Sequence, residues 1–273
     1  MIQQQTAAIR DVRLSYSVTG TGPLAVWAHA LTSSSWAQEQ SGQFDWTPIT
    51  DAGNSLARYD ARGHGQSTGT PTDSDYRWEN LALDLLALIE HLSPGTPVAG
   101  IGSSMGTATL LHAAVLPGQH FTSLVLTSPP TAWASRAAQT KKYRQTSDLA
   151  ESVGAAAFGE LMASYPVPPI FATMPGYPPP VDVKGSLLPH ILRGAGASDL
   201  PPKSALAQLR LPVLVLAWTG DPTHPESAAV ELADAIPNAE LRVATTPHDL
   251  VTWGDVATEF ITSHLPRVLK SSS

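Results

Sequence analysis

The chain has 273 residues, 42% of them hydrophobic and 14% charged, with a formal net charge of -7 and no cysteine. Those proportions fit one globular domain with a sizeable core, and they exclude disulfides, thiolate metal sites and a cysteine nucleophile. The negative charge argues against nucleic acid or an anionic membrane as the main partner.

The first residues, Met1 to Thr6, lack a basic segment followed by an apolar one, and no later run approaches membrane-spanning length. A soluble, cytoplasmic protein is therefore expected. Gln3 to Ile9 and Val12 to Val18 read as a hairpin, the second arm alternating Val12, Leu14, Tyr16 and Val18, closed by Gly20-Thr21-Gly22-Pro23. Leu24 to Ala28 is a continuous apolar run, as expected for a strand buried on both faces, and it opens into His29-Ala30-Leu31-Thr32. A helix is predicted within Trp36 to Ile49, then a short strand at Asn54 to Tyr59 that runs into the turn Asp60-Ala61-Arg62-Gly63-His64-Gly65-Gln66-Ser67. Leu81, Leu85, Leu88 and Leu92 recur at helical spacing over Glu79 to Leu92, and Ser93-Pro94-Gly95 stops that helix.

The most informative stretch follows. Val98 to Ile101 is apolar and breaks into Gly102-Ser103-Ser104-Met105-Gly106 before a helix over Met105 to Leu116. A G-x-S-x-G at a strand-to-helix junction is a nucleophile elbow, which holds its central serine, here Ser104, on a sharp turn above the sheet. Ser123 to Ser128 is a further buried strand. Alternating strands and helices imply right-handed crossovers and a doubly wound, mostly parallel sheet with its site at the carboxyl ends of the strands.

From residue 131 to 207 the rhythm changes. Twelve of the 24 prolines fall between Pro129 and Pro202, so a small helical cap inserted into the core is expected. The core itself spans 1–130 and 208–273. Helices are predicted at Trp133 to Tyr143, Asp148 to Ser164 and Gly185 to Leu192. The sheet then resumes at Pro212 to Trp218, followed by Gly220-Asp221, a helix at Glu226 to Ile236, a strand at Leu241 to Ala244, a loop at Thr245 to Asp249 carrying His248, and a closing helix from Gly254 to Leu265. The last residues, Lys270 to Ser273, read as a frayed tail.

Four stretches taken together, His29-Ala30-Leu31, Asp60 to Ser67, the Ser104 elbow, and Gly220-Asp221 with His248, resemble the α/β-hydrolase family over nearly the whole chain. The resemblance implies the order nucleophile, acid, histidine, which Ser104, Asp221 and His248 satisfy, each just past a predicted strand end. In that arrangement His248 is the base that takes the serine proton, and Asp221 fixes its tautomer. His29, His64, His112 and His224 are the competing histidines; His112 falls in the helix after the elbow and His64 in a turn that is architectural in the family. The resemblance further implies an oxyanion hole made by the backbone N–H groups of Leu31 and Met105. Ala30 stands where the family usually has glycine, and Thr107 where a further glycine is common.

A serine at the nucleophile position argues against the dehalogenase and epoxide hydrolase branches, which carry aspartate. The favoured reaction is hydrolysis of a small, largely apolar carboxylic ester or lactone, with loose similarity to bacterial enol-lactone hydrolases. Carbon–carbon bond hydrolysis, perhydrolysis and a non-catalytic receptor of the same fold are the alternatives. Trp36, Trp133, Met105 and Trp253 are candidates to line an apolar pocket, with Trp36 and Trp133 the substrate-binding pair. The run Arg136, Lys141, Lys142, Arg144 reads more readily as a solvated helix face than as a carboxylate site. No metal or organic cofactor is implied.

Overall fold

Strands that are apolar on both faces can sit only inside a covered sheet. In the computed structural model, which describes residues 3–221 and 223–265, the apolar runs become the interior of an eight-stranded sheet. The frayed tail expected at Lys270 to Ser273 lies outside the described residues. Strands β1 (Gln5–Ile9) and β2 (Val12–Gly20) form the hairpin. After them come β3 (Leu24–Ala28), β4 (Ser55–Tyr59), β5 (Val98–Ser103), β6 (Phe121–Thr127), β7 (Val213–Trp218) and β8 (Ala239–Ala244), all mutually parallel. The spatial order is β1-β2-β4-β3-β5-β6-β7-β8, with β2 antiparallel to both of its neighbours. The chain leaves β3 for β4 on one side and returns to β5 on the other. That reversal opens a crevice at the carboxyl ends of β3 and β5.

The helices in chain order are α1 (Ser35–Gln40), α2 (Thr47–Asp51), α3 (Trp78–Leu92), α4 (Met105–Ala114), α5 (Arg136–Ala163), α6 (Leu188–Gly196), α7 (Lys203–Leu206), α8 (Glu226–Ala235), α9 (Pro247–Val251) and α10 (Trp253–Ser263). Strand alternation divides the core between the two sheet faces. Val26, Leu126 and Val215 meet Leu85 of α3, Leu111 of α4 and Leu232 of α8. Trp27, Val125 and Leu216 meet Ile49 of α2 and Phe260 of α10. Trp27 is wholly buried, edge-on to Trp46 at 6.1 Å, and truncating such a side chain costs about 3–5 kcal/mol. None of the helices among the described residues is long and apolar enough to cross a membrane.

Three elements differ from the sequence expectation. The helix predicted within Trp36 to Ile49 is two short helices, because Gly42 turns the chain with φ +72° between them. The loop at Thr245 to Asp249 closes into α9: the Thr246 hydroxyl accepts the Asp249 N–H and the Asp249 carboxylate accepts the Thr246 N–H, a reciprocal cap. The two helices predicted after Trp133 run together as α5, broken only at Gly154, where φ +79° and ψ 163° depart from helical values.

The β6–β7 connection carries α5 and α6, which pack through Ala150, Phe158, Leu188 and Leu192. It is held to the rest of the molecule by the Asp73 carboxylate, 2.6 Å from His190 Nδ1 and 2.9 Å from Arg193 Nε. Arg136 is buried under the connection, over the Trp78 ring at 4.3 Å, with its guanidinium on the Ser198 and Ala195 carbonyls.

Beneath β4, Arg62 spends its donors on two carboxylates in two-point contacts, Asp84 at 2.9 and 3.0 Å and Asp11 at 2.6 and 2.9 Å. Both Arg62 and Asp84 are buried. The Arg62 guanidinium holds the Asp11 carboxyl at about 2, below the usual carboxylate range. A planar fork that matches two carboxylates fixes the turn after β4 against the β1–β2 hairpin and α3.

Candidate active site

The nucleophile candidate is placed by steric necessity. A Cβ on Gly106 would lie 2.0 Å from the Ala28 carbonyl oxygen, and one on Gly102 would lie 2.6 Å from the Gly106 backbone, so neither position has room for a side chain. Between them Ser104 adopts φ 52° and ψ -104°, a conformation unfavourable for a non-glycine residue. The cost is met by its surroundings: the Ser104 N–H donates to the Thr127 carbonyl at 3.0 Å, and the Thr107 hydroxyl lies 3.0 Å from both the Gly102 and Thr127 carbonyls. Thr107, in place of a small glycine, therefore ties the ends of β5 and β6 beneath the turn.

The histidine beside Ser104 is His224. Its Nε2 lies 2.7 Å from the Ser104 hydroxyl oxygen, and its Nδ1 lies 3.1 Å from Asp221 Oδ2. Asp221 and His224 belong to one turn after β7. The other carboxylate oxygen of Asp221 accepts the backbone N–H groups of Thr223 at 2.7 Å and His224 at 2.8 Å, which fixes the turn and presents the imidazole to the serine. Asp221 is buried to 3% side-chain exposure, whereas His224 keeps 19%. The neighbouring Tyr177 phenol is pushed up to about 12 by burial and, secondarily, by the Asp221 carboxylate.

The expectation that His248 is the base does not match this arrangement. Thr246 caps α9 and Pro247 begins it, so His248 falls in the first turn with its side chain exposed to solvent, and it lines neither chamber at Ser104. Neither Trp36 nor Trp133, the expected substrate-binding pair, lines either chamber. Trp36 is 63% exposed on α1 and touches neither chamber. Trp133 is held away by its indole N–H on the Pro201 carbonyl and by Lys203 stacked on its ring at 4.7 Å. Met105 and Trp253 are buried in the cores of the two sheet faces. Of the four cations on α5, Lys142 lines the larger chamber, Arg136 is the buried strut described above, and Lys141 and Arg144 are exposed.

Met105 N–H begins α4 and Leu31 N–H sits in the loop after β3; neither donates to another group among the described residues. The β3 loop is braced by Gln38, whose buried amide accepts the Ala30 N–H at 3.0 Å and donates to the Ser103 hydroxyl at 3.2 Å. Thr32, with φ 62°, carries the bend that a glycine would otherwise supply. Beneath it His29 Nδ1 bonds the Ala30 carbonyl and Nε2 accepts the Ala61 N–H, a pattern that requires a neutral ring. Burial lowers the His29 pKa, in keeping with that pattern.

Two chambers open onto the Ser104–His224 pair. The larger, about 820 Å³, runs under α5 and α6 between Phe158, Met162, Leu192 and the proline-rich stretch around Pro168. The smaller, about 120 Å³, is walled by Gln38, Gln43, Ser103 and Ser128.

A model of the alpha/beta hydrolase family matches residues 25–260. Solved structures of similar fold include a thermophilic esterase from Thermogutta terrifontis, 18% identical with a TM-score of 0.75, covering 96% of this chain and 100% of its own. A hydrolase from Pseudomonas aeruginosa is 21% identical with a TM-score of 0.71, covering 96% and 97%. An enol-lactonase from Burkholderia xenovorans is 21% identical with a TM-score of 0.65, covering 95% and 99%. At these identities the likeness extends to the fold.

Proposed function

The chain belongs to the alpha/beta hydrolase family, and from that premise we propose that it hydrolyses a carboxylic ester or lactone with a largely apolar acyl part through an acyl-Ser104 intermediate, with His224 as the base and Asp221 as its orienting acid. The observation that carries the reading is the continuous contact Asp221–His224–Ser104 at 3.1 and 2.7 Å. With its proton on Nδ1, facing Asp221, His224 offers Nε2 to the serine hydroxyl. It takes that proton as Oγ attacks the carbonyl carbon, and the imidazolium that forms is stabilised by the carboxylate. In this reading the resulting oxyanion takes the Leu31 and Met105 N–H groups, which have no other acceptor among the described residues. His224 returns its proton to the departing alcohol, and water then releases the acid by the same steps.

The apolar walls of the larger chamber support an apolar acyl group. An esterase and an enol-lactonase of similar fold are compatible with either open-chain or cyclic esters. The test is acid release from methyl esters of four- to ten-carbon acids and from γ- and δ-lactones, with mass spectrometry of the quenched enzyme. Ser104→Ala is expected to lose activity on the order of 10⁴-fold or more and to carry no acyl adduct. Full activity in a folded Ser104→Ala protein would refute the reading.

A further inference from the structure

The two chambers differ in chemistry as well as size, and that difference assigns them different cargo. In the smaller one the Gln38 amide is already committed, to Ala30 and Ser103. Gln43 is not. It is buried, its backbone N–H is used by Ser41, and its side-chain amide has no hydrogen-bond partner among the described residues. Ser103 accepts from Gln38 and donates to nothing among those residues. Buried polar groups with spare capacity around an open space are the conditions under which proteins hold water. The chamber has room for roughly four waters at about 30 Å³ each. It meets the larger chamber at Ser104 and His224, the two groups that a deacylating nucleophile must reach.

We propose that the small chamber is the seat of the second nucleophile, a water positioned by the Gln43 amide, and that its size restricts both attacking and leaving groups to water and short alcohols. The inference rests on the acyl-Ser104 reading and adds a substrate class to it: esters joining a bulky apolar acid to a short alcohol. In the step concerned, the water oxygen bonds to the acyl carbon as His224 Nε2 takes one of its protons. The carbonyl π pair moves to oxygen, and on collapse the carbon–Ser104 Oγ bond breaks while Oγ takes the proton from His224. Attack and departure are the same step in opposite directions, so the leaving alcohol of the first half-reaction occupies the same space. 1-Butanol, with five heavy atoms, would have to take up the whole chamber. Gln43 is a positioning residue here, acting through the water.

The experiment uses methyl octanoate with added methanol, ethanol, 1-propanol or 1-butanol, measuring the ratio of ester exchange to hydrolysis. Butyl octanoate and octyl acetate serve as substrates in parallel. The expected result is at least about ten-fold less exchange with 1-butanol than with methanol, and a similar preference for methyl over butyl octanoate. Gln43→Ala should narrow the alcohol preference by enlarging the chamber. Gln43→Leu should slow deacylation about ten-fold, with acyl-Ser104 accumulating in the mass spectrum, while acylation changes little. Equal exchange with methanol and 1-butanol in the wild-type enzyme would overturn the inference, and so would a Gln43→Leu enzyme slowed equally in both half-reactions. The wild-type alcohol series decides even if the variants fail to fold. An acyl adduct on Ser104 or ester exchange without alcohol selectivity would leave the acyl-enzyme standing and refute the chamber assignment alone; absence of both ester exchange and any acyl adduct would remove both.

Discussion

Replacing His224 and His248 separately by alanine sets the two histidines against each other. His224 touches Ser104 at 2.7 Å and Asp221 at 3.1 Å, while His248 is exposed on the first turn of α9. A positioned general base contributes on the order of 10²–10⁴ in rate, and removing the histidine of a working serine–histidine pair costs more because the serine is then idle as well. His224→Ala is therefore expected to lower kcat/KM on methyl octanoate by about 10⁴-fold, or about 5.5 kcal/mol of transition-state stabilisation. The turn should survive, because Asp221 accepts the backbone N–H of residue 224, which alanine retains. His248→Ala removes an exposed side chain, with an expected stability change within about 0.5 kcal/mol and a rate within about two-fold of wild type. Initial rates of acid release, alongside urea unfolding of each variant to show that both are folded, complete the measurement. If His248→Ala is inactive and His224→Ala retains its rate, the assignment of the base is wrong.

Three further outcomes follow from the same geometry. Asp221→Asn can keep its carbonyl oxygen on the Thr223 and His224 N–H groups while turning an amide donor toward Nδ1, which imposes the wrong tautomer; a loss near 10⁴-fold in kcat with an unchanged unfolding midpoint is expected, and a rate within ten-fold of wild type would count against it. His64 is buried beside His29, its rings 5.1 Å apart, and burial holds its pKa at about 3 against an ordinary 6.5. Between those values the unfolded chain binds the extra proton, so stability is fully present above pH 6.5 and falls as pH drops toward 3, by about 5 kcal/mol over the full window; a urea midpoint that stays flat between pH 6.5 and 4.5 would refute this. Asp84→Ala strips the buried Arg62 of one of its two-point partners, and a loss of about 3–5 kcal/mol in unfolding free energy is expected, against little effect if Asp11 alone can hold the guanidinium.

The elbow is legible in the sequence because the physics there acts over five residues. Gly102 and Gly106 are the only residue type that lets β5, α4 and β3 approach so closely, and an apolar run followed by that spacing has few other readings. The interior strands are legible for a similar reason, since β3, β5 and β7 are apolar on both faces. Which histidine lies beside Ser104 is not legible in this way. The order nucleophile, acid, histidine is satisfied equally by Ser104, Asp221, His224 and by Ser104, Asp221, His248, so order alone could not choose. The available signal was local: an aspartate three residues before a histidine can cap the turn and orient the ring at once, and the pair Thr246 and Asp249 could have been read as a cap that draws His248 into a helix. The lining of the chambers was beyond reach for a different reason. Whether Trp36, Trp133 or Phe158 meets the crevice depends on how α5 and α6 settle over it, a contact between segments far apart in sequence.

Asp221 and His224 share a single turn suspended from β7, an interior strand, while β8 forms the outer border of the sheet. In a protein whose acid and base hang from two different strands, loosening of the border strand would pull them apart. Here their separation is set within one short turn, whose entry is tied to the border strand, among the described residues, only through the Thr219 N–H on the Ala244 carbonyl at 3.0 Å. The segment from β8 through α9 carries neither of these two side chains, so substitutions on its exposed face leave the Asp221–His224 contact intact, while its buried Ala244 and Leu250 still close the core over β7.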